Sequence, residues 1–186
     1  MENDVTKIGG GFLEPERIVA GFGLKKGDHA ADFGAGHGYF ALAMARAVGR
    51  EGKVWAVDVQ QSALDMIRSR AMAEHLLNME YALTDLEQPG SSDLPERFMD
   101  FVLIGNMLFQ AEQRGEILRE AWRCLRPGGR SAVIEWDAAA TSAIGPPVAM
   151  RIKKQDAKAL AVGAGFELDR EFSAGPHHYG LLFVKK

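Results

Sequence analysis

The feature that most limits what this chain can fold into is a glycine run set between two different periodicities. Asp32-Phe33-Gly34-Ala35-Gly36-His37-Gly38 follows a short apolar stretch, His29 to Phe33. It precedes a longer one, Gly38 to Val48, in which Phe40, Leu42, Ala43 and Ala47 read as mostly inward helical positions. Glycines at alternate positions let the backbone turn where a side chain would collide, and they leave the first amides of the helix open to an electron-rich ligand. Strand, glycine loop and helix in that order make half of a βαβ unit. Composition follows the same theme: 21 of 186 residues are glycine, above a usual share of about 7%. They gather at junctions (9–11, 34–38, 128–129, 163–165) without a repeating period.

The rest of the chain keeps alternating. Pro15 suits the first turn of a short helix whose Ile18, Val19 and Phe22 share a face before Gly23. Lys53 to Asp58 is a second strand. Ser62 is placed to cap a helix carrying Leu64, Ile67, Ala71 and His75 at helical spacing, and Met79 to Thr84 is a weaker third strand. After a loop over 88–97, Phe98 to Gly105 is the fourth strand. Its unbroken Phe101-Val102-Leu103-Ile104 run is of the kind buried under helices on both faces of a parallel sheet. A helix over Ala111 to Leu125 is ended by Pro127-Gly128-Gly129, which turns into the fifth strand, Arg130 to Trp136. Asp137 to Arg151 has neither period and reads as a long loop or lid. A helix over Lys154 to Gly163 and two strands, Phe166 to Ser173 and His177 to Lys185, joined as a hairpin, complete the chain. The reading is a doubly wound, Rossmann-like α/β domain with helices on both faces of a mostly parallel sheet, closed by one antiparallel strand. Residues 1–11 read as a flexible tail and 12–186 as a single domain.

Charge and cysteine content exclude several function classes. Twenty-two Lys and Arg against 25 Asp and Glu give a net charge of −3, so no polyanion-binding footprint covers the whole domain. From Met150 onward the count is +3, which leaves −6 for the remainder. A single cysteine, Cys124, excludes an internal disulfide framework and a thiolate-clustered metal site, and no metal ligand set is predicted. No window of about 18 residues is free of charge, so no membrane span is expected. The Met1-Glu2-Asn3-Asp4 start is too acidic for a signal or transit peptide, and the expected location is the cytoplasm.

The loop's spacing separates two ligand classes. Asp58 lies twenty residues after Gly38 at the end of the second strand, where a carboxylate can accept both hydroxyls of a ribose. A dinucleotide fingerprint reads G-x-G-x-x-G, whereas this loop reads G-x-G-x-G with Asp32 two residues before its first glycine. That acid would repel a pyrophosphate and suits a ligand with a positive group. Here the sequence resembles the class I S-adenosylmethionine-dependent methyltransferases. Asp58 after Val54-Trp55-Ala56-Val57, Asp85 after the third strand, and Arg126-Pro127-Gly128-Gly129-Arg130 before the fifth add to the resemblance, the last being similar to the ubiquinone and menaquinone biosynthesis group. The resemblance covers roughly Leu13 to Lys186 and implies a seven-stranded sheet of order 3-2-1-4-5-7-6 with the last strand antiparallel. It also implies S-adenosylmethionine as cofactor, with S-adenosylhomocysteine as product. Gly34, Ala35, Gly36 and Gly38 would surround the methionine part, with Asp32 near its amino group and Asn106 lining that side. Asp58 would hold the ribose and Asp85 the adenine amino group, with Val59 and Leu86 against the ring faces.

Methyl transfer from a sulfonium is an in-line displacement in which alignment and desolvation supply much of the acceleration. A base is needed only where the acceptor must lose a proton; His177, His178, Glu135 and Asp137 are the candidates, since the last hairpin should lie at the active-site edge of the sheet. Gly105-Asn106-Met107-Leu108 is unlike the Asn-Pro-Pro-Tyr type motif of base-amino methylation. The expected acceptor is a small molecule; the mildly basic C-terminal end allows contact with an anionic substrate or RNA, and nothing in the sequence supports a protein acceptor. Little chain is left for a substrate domain, so cover must come from Leu13 to Phe22, from Asp137 to Arg151, or from a second subunit in a homodimer. The stiff Ile144-Gly145-Pro146-Pro147-Val148 stretch is expected to form a wall of the acceptor pocket. The alternative readings are an NAD(P)-dependent Rossmann oxidoreductase and a non-catalytic S-adenosylmethionine-binding regulatory module.

Overall fold

The alternation of short apolar runs and amphipathic stretches becomes seven strands and five α-helices in the computed structural model, which describes residues 13–140 and 145–186. The tail predicted at 1–11 lies outside the described residues. In chain order the elements are α1 (Pro15–Ala20), β1 (His29–Phe33), α2 (Tyr39–Val48), β2 (Lys53–Asp58), α3 (Gln61–Ala73), β3 (Met79–Leu83), β4 (Met99–Gly105), α4 (Arg114–Cys124), β5 (Leu125–Trp136), α5 (Lys154–Gly163), β6 (Phe166–Ser173) and β7 (His178–Lys185). The sheet order is β3-β2-β1-β4-β5-β7-β6. Pairing is parallel from β3 to β5, and β7 runs antiparallel to both β5 and β6. This is the order implied by the resemblance.

The inner parallel strands β1, β2 and β4 bury both faces because their residues alternate between two cores, whereas the edge strand β3 is only partly buried. Ala30, Val54, Ala56, Phe101 and Leu103 pack with Ile18, Leu42 and Ile67 of α1, α2 and α3. Ala31, Phe33, Val57, Val102 and Ile104 pack with Ile117 and Leu118 of α4 and Ala157 of α5. Each large aliphatic or aromatic side chain so buried contributes roughly 1.5 to 3 kcal/mol, and the two-sided burial explains why these strands carry no polar face. Cys124 belongs to the second core. Its thiol is pushed up to about 12, first by burial and then by the Glu120 carboxylate, so the chain's one cysteine is a packing residue rather than a nucleophile.

Several boundaries differ from the sequence reading, four of them for a clear local reason. Ser62 does not cap α3: Gln60 holds that position without a side-chain bond to the helix, and its backbone amide is donated to Asp58 Oδ1. His75 does not continue the inward stripe; the helix ends at Ala73, His75 turns into the left-handed region (φ 56°), and the amide of Leu76 returns to the carbonyl of Ala71. Helix α4 begins at Arg114 rather than Ala111, since Glu87 Oε2 captures the amides of Glu112 and Gln113 just before it. Strand β5 begins at Leu125, pairing with Met99, and Pro127-Gly128-Gly129 forms a bulge before pairing resumes at Phe101 and Arg130.

Candidate active site

A parallel sheet opens a crevice where neighbouring strands send their connections to opposite faces. In this order that point lies between β1, which leads into α2, and β4, which leads towards α4. A cavity of about 1140 Å³ opens at the carboxyl ends of β1 to β4, lined by residues that include Asp32, Gly34, Ala35, Gly36, Asp58, Val59, Asp85, Leu86 and Asn106. Nine of the ten residues expected at the cofactor therefore meet in one space. Gly38, the tenth, is buried behind the loop as the N-cap of α2.

The loop is held from below by β2. The amides of Gly34 and Ala35 both donate to the carbonyl of Val57 (2.9 and 3.0 Å). The amide of Gly36 donates to Asp58 Oδ2 (2.8 Å), and that of Gln60 to Asp58 Oδ1 (2.9 Å). Asp58 therefore fixes the loop with one oxygen and its own chain reversal with the other, and its carboxylate lines the cavity. Gly38 has φ +77°, and a Cβ there would stand 2.5 Å from Cγ1 of Ile67, so only glycine lets α2 start this close to α3. Gly34 has φ +70° and faces Met107, whose Sδ would lie 3.0 Å from an added Cβ.

Two groups at the crevice are electrostatically unsatisfied. Asp32 is 3% exposed, and its carboxyl is raised to about 7. Burial is the main cause, an amide hydrogen bond from Ala41 works against it, and the neighbouring charge of Asp58 adds to it. Asn106 occupies the left-handed region (φ 51°), with its amide donated to Ile134 (2.8 Å). Its Oδ1 is buried with no hydrogen-bond partner among the described residues. A strained residue with an orphaned acceptor at a cavity wall marks a place where a ligand can complete the bonding. Across the cavity Asp85 is exposed and accepts the amide of Glu87 (3.0 Å). Val59 is 65% exposed, while Leu86 is buried.

His177, His178 and Glu135 do not line this cavity. The hairpin does reach the carboxyl edge: His178 pairs with Trp136 at the end of β5. There the His178 ring lies 4.2 Å from the Trp136 ring, 4% exposed, with both nitrogens unpartnered among the described residues. Burial first, then the charges of His177 and Arg151, push it down to about 4, so it is a neutral imidazole at pH 7. His177 is half-buried and its carbonyl accepts the amide of Asp137 (2.8 Å). Glu135 is fully buried and faces the amides of Met107 and Leu108. Ile144 lies outside the described residues, and Gly145 to Val148 do not line the cavity. Arg151 gathers that segment instead, donating to the carbonyls of Pro146, Asp137 and Ala140.

Further wall residues come from places the motifs do not mark: Leu13, Glu14 and Pro15 at the start of α1, Tyr39 and Phe40 at the start of α2, and Met107, Gln110 and Ala111 after β4. Of the predicted sources of cover, the 13–22 segment reaches the cavity through Leu13, Glu14 and Pro15, and among the described residues 137–151 does not. Among the described residues no group of three His, Cys, Asp or Glu is placed to hold a metal ion, and no helix is long and apolar enough to cross a membrane.

Residues 30–129, from β1 through the glycine loop to the Pro127-Gly128-Gly129 bulge, match the family described as methyltransferase domain. The chain belongs to the methyltransferase domain family. Within that family it is similar to the ubiquinone/menaquinone biosynthesis C-methyltransferase UbiE of Neisseria meningitidis, with 32% identity over 113 residues, 61% of this chain and 44% of that protein. The protein of the same description from Francisella tularensis is 28% identical over 137 residues, 73% of this chain and 54% of that one. The chain spans about half the length of the curated relatives it matches. Among solved structures, a SAM dependent methyltransferase from Aquifex aeolicus superposes with a TM-score of 0.86 at 24% identity, covering 94% of this chain and 91% of that one. The [4+2]-cyclase SpnF superposes with a TM-score of 0.78 at 18% identity, covering 91% and 80%. These are likenesses of fold. Since a cyclase shares the frame, activity has to be argued from the site.

Proposed function

We propose that this methyltransferase-family chain binds S-adenosylmethionine in the cavity and transfers its methyl group to a small, non-anionic acceptor. The observation that carries the reading is the charge of the wall. Its described residues include five carboxyl groups, Glu14, Asp32, Asp58, Asp85 and Glu87, and no lysine or arginine. Such a wall opposes the pyrophosphate of a nicotinamide dinucleotide and favours a ligand carrying positive charge and no phosphate. Asp32, held near neutrality by burial, is a seat for an ammonium: a cation beside it would draw the carboxyl back into its ionised form. Asn106, with its orphaned Oδ1, has an acceptor left for the same ligand.

The remaining residues fit the other parts of such a ligand. Asp58, already oriented by two amides, keeps lone pairs for the ribose hydroxyls. Asp85, exposed at the rim and holding the Glu87 amide with Oδ1, keeps lone pairs for the adenine amino group, with Val59 and Leu86 as walls for the ring faces. When bound, the cofactor supplies a methyl group on a positively charged sulfur that leaves as a neutral thioether. The chain's part is to align acceptor and methyl and to exclude water, and the apolar wall of Leu13, Pro15, Phe40, Met107 and Ala111 suits that task. A volume of about 1140 Å³ exceeds that of most ligand pockets, which hold roughly 300 to 1000 Å³, so cofactor and acceptor can share it. His177 and His178 have no part in proton transfer in this proposal, because neither lines the cavity.

The relatives named as quinone-biosynthesis C-methyltransferases make uncharged phenols and quinols the first acceptors to try. Incubation with S-adenosylmethionine labelled in its methyl group should move label into such an uncharged pool and not into carboxylated or phosphorylated analogues. Label found only in the anionic pool would contradict the charge argument. Cofactor binding without transfer to any pool would favour the non-catalytic binding module.

A further inference from the structure

Glu135 lies beneath the cavity wall without entering the cavity. Its Oε1 accepts the amides of Met107 (2.9 Å) and Leu108 (2.6 Å), the residues that follow the strained Asn106. Met107 in turn packs against Gly34, and Asn106 and Met107 both line the cavity. The same segment is tied from its carbonyl side by Arg114, whose Nε donates to Ala111 (3.2 Å) and whose Nη2 donates to Phe109 (3.3 Å). Two oppositely charged side chains thus hold residues 107–111 by complementary backbone groups.

We infer that Glu135 is a positioning residue for the cofactor cavity: through the amides of Met107 and Leu108 it sets Asn106 and Met107 opposite Gly34. This rests on the proposed cofactor reading for its functional consequence, but not for its geometry. The physical reason is that a left-handed asparagine costs of order 1 to 3 kcal/mol and persists only where its surroundings over-determine it. On one side Asn106 is held by its amide bond to Ile134, and on the other by the carboxylate that captures the next two amides. A carboxylate does this better than an amide oxygen, because hydrogen bonds to an ionised acceptor are stronger. The second oxygen, Oε2, is buried without a partner among the described residues, so Glu135 gives up one bonding site to make these two. The charged and titratable groups facing it are Arg114 from α4 and Tyr179 from β7. The Tyr179 hydroxyl is committed to the carbonyl of Ile152 (3.1 Å).

The test is Glu135→Gln in the full chain, with Glu135→Asp, whose carboxylate is one methylene too short to reach both amides, as the second variant should the first not fold. Hydrogen exchange of the Met107 and Leu108 amides should quicken at least tenfold while the β4 and β5 amides keep their protection. Affinity for S-adenosylhomocysteine should fall about tenfold, as expected when hydrogen bonds to a charged group are weakened. The pH profile separates positioning from mere bulk. In an Asp32→Asn background, affinity should still rise as pH passes through about 7, where Glu135 ionises, and adding Glu135→Gln should flatten that rise. Unchanged exchange at 107 and 108, or quickened exchange with unchanged affinity, overturns the inference. Absence of S-adenosylhomocysteine binding in the unaltered chain defeats the cofactor reading instead, and the exchange measurement still decides whether Glu135 holds the segment.

Discussion

At the scale of single residues, the account turns on Asp32. Its folded-state pKa is raised to about 7, above the unfolded value of 3.8, so its contribution to stability is intact below the unfolded value and is lost as pH rises through about 7. Asp32→Asn should therefore stabilise the cofactor-free protein more at pH 8 than at pH 5, the difference growing by about 2 kcal/mol. Chemical denaturation at the two pH values measures this, and a variant equally stable or less stable at pH 8 would contradict it. The same variant should bind S-adenosylhomocysteine at least tenfold more weakly, since a hydrogen bond to a charged group is worth about 1.5 to 3 kcal/mol. Stability and affinity should thus move in opposite directions, as expected of a binding residue and not of a core acid. Asp58→Ala should weaken affinity by a similar factor, because it removes both a polar group of the cavity and the anchor for the Gly36 amide; titration of the variant reads it. The carboxylates were legible in the sequence because each stands at a strand end. The role of Glu135 was not, since which amides a carboxylate captures depends on how β5 aligns with β4, and a bulge sets that alignment.

At the scale of elements, the glycine loop and the helices beside it set the geometry of the crevice. Gly38→Ala would place a methyl 2.5 Å from Ile67 at φ +77°. Left-handed strain and overpacking together should cost about 2 to 4 kcal/mol. Gly163, the last residue of α5, has open space where its Cβ would be, and Gly163→Ala should be neutral or stabilise by up to about 1 kcal/mol. Urea midpoints of the two variants test the contrast, and equal effects would show that the loop glycine is not a packing requirement. Element types and the sheet could be read from periodicity because the two-sided strands are continuously apolar and the helices are not. Helix ends could not, because bonds that periodicity does not show decide them: Glu87 delays α4 from a distant loop, and the local bond from the Leu76 amide to Ala71 closes α3 before His75. Of the 144–148 stretch expected as an acceptor wall, the described residues 145–148 do not line the cavity; Arg151 holds the segment through the carbonyls of Pro146, Asp137 and Ala140, while Leu13 to Pro15 reach the cavity.

For the whole molecule, the fold brings five carboxyl groups from four stretches of chain into one cavity without a described lysine or arginine. A ligand that neutralises part of that field should stabilise the fold visibly. At about one hundred times its dissociation constant it adds about 2.7 kcal/mol, which for a chain of this size corresponds to a rise in Tm of roughly 5 to 10 °C. The central claim, that this cavity is built for S-adenosylmethionine and that Asp32 is its seat for positive charge, is tested most directly by calorimetric titration of the intact chain. S-adenosylhomocysteine would be titrated at pH 6 and pH 8, with NAD in parallel. The account predicts one saturable S-adenosylhomocysteine site, up to about tenfold tighter at pH 8 as the carboxyl ionises near 7, and no binding of NAD. Binding of NAD alone, or S-adenosylhomocysteine affinity that does not change between the two pH values, would contradict it.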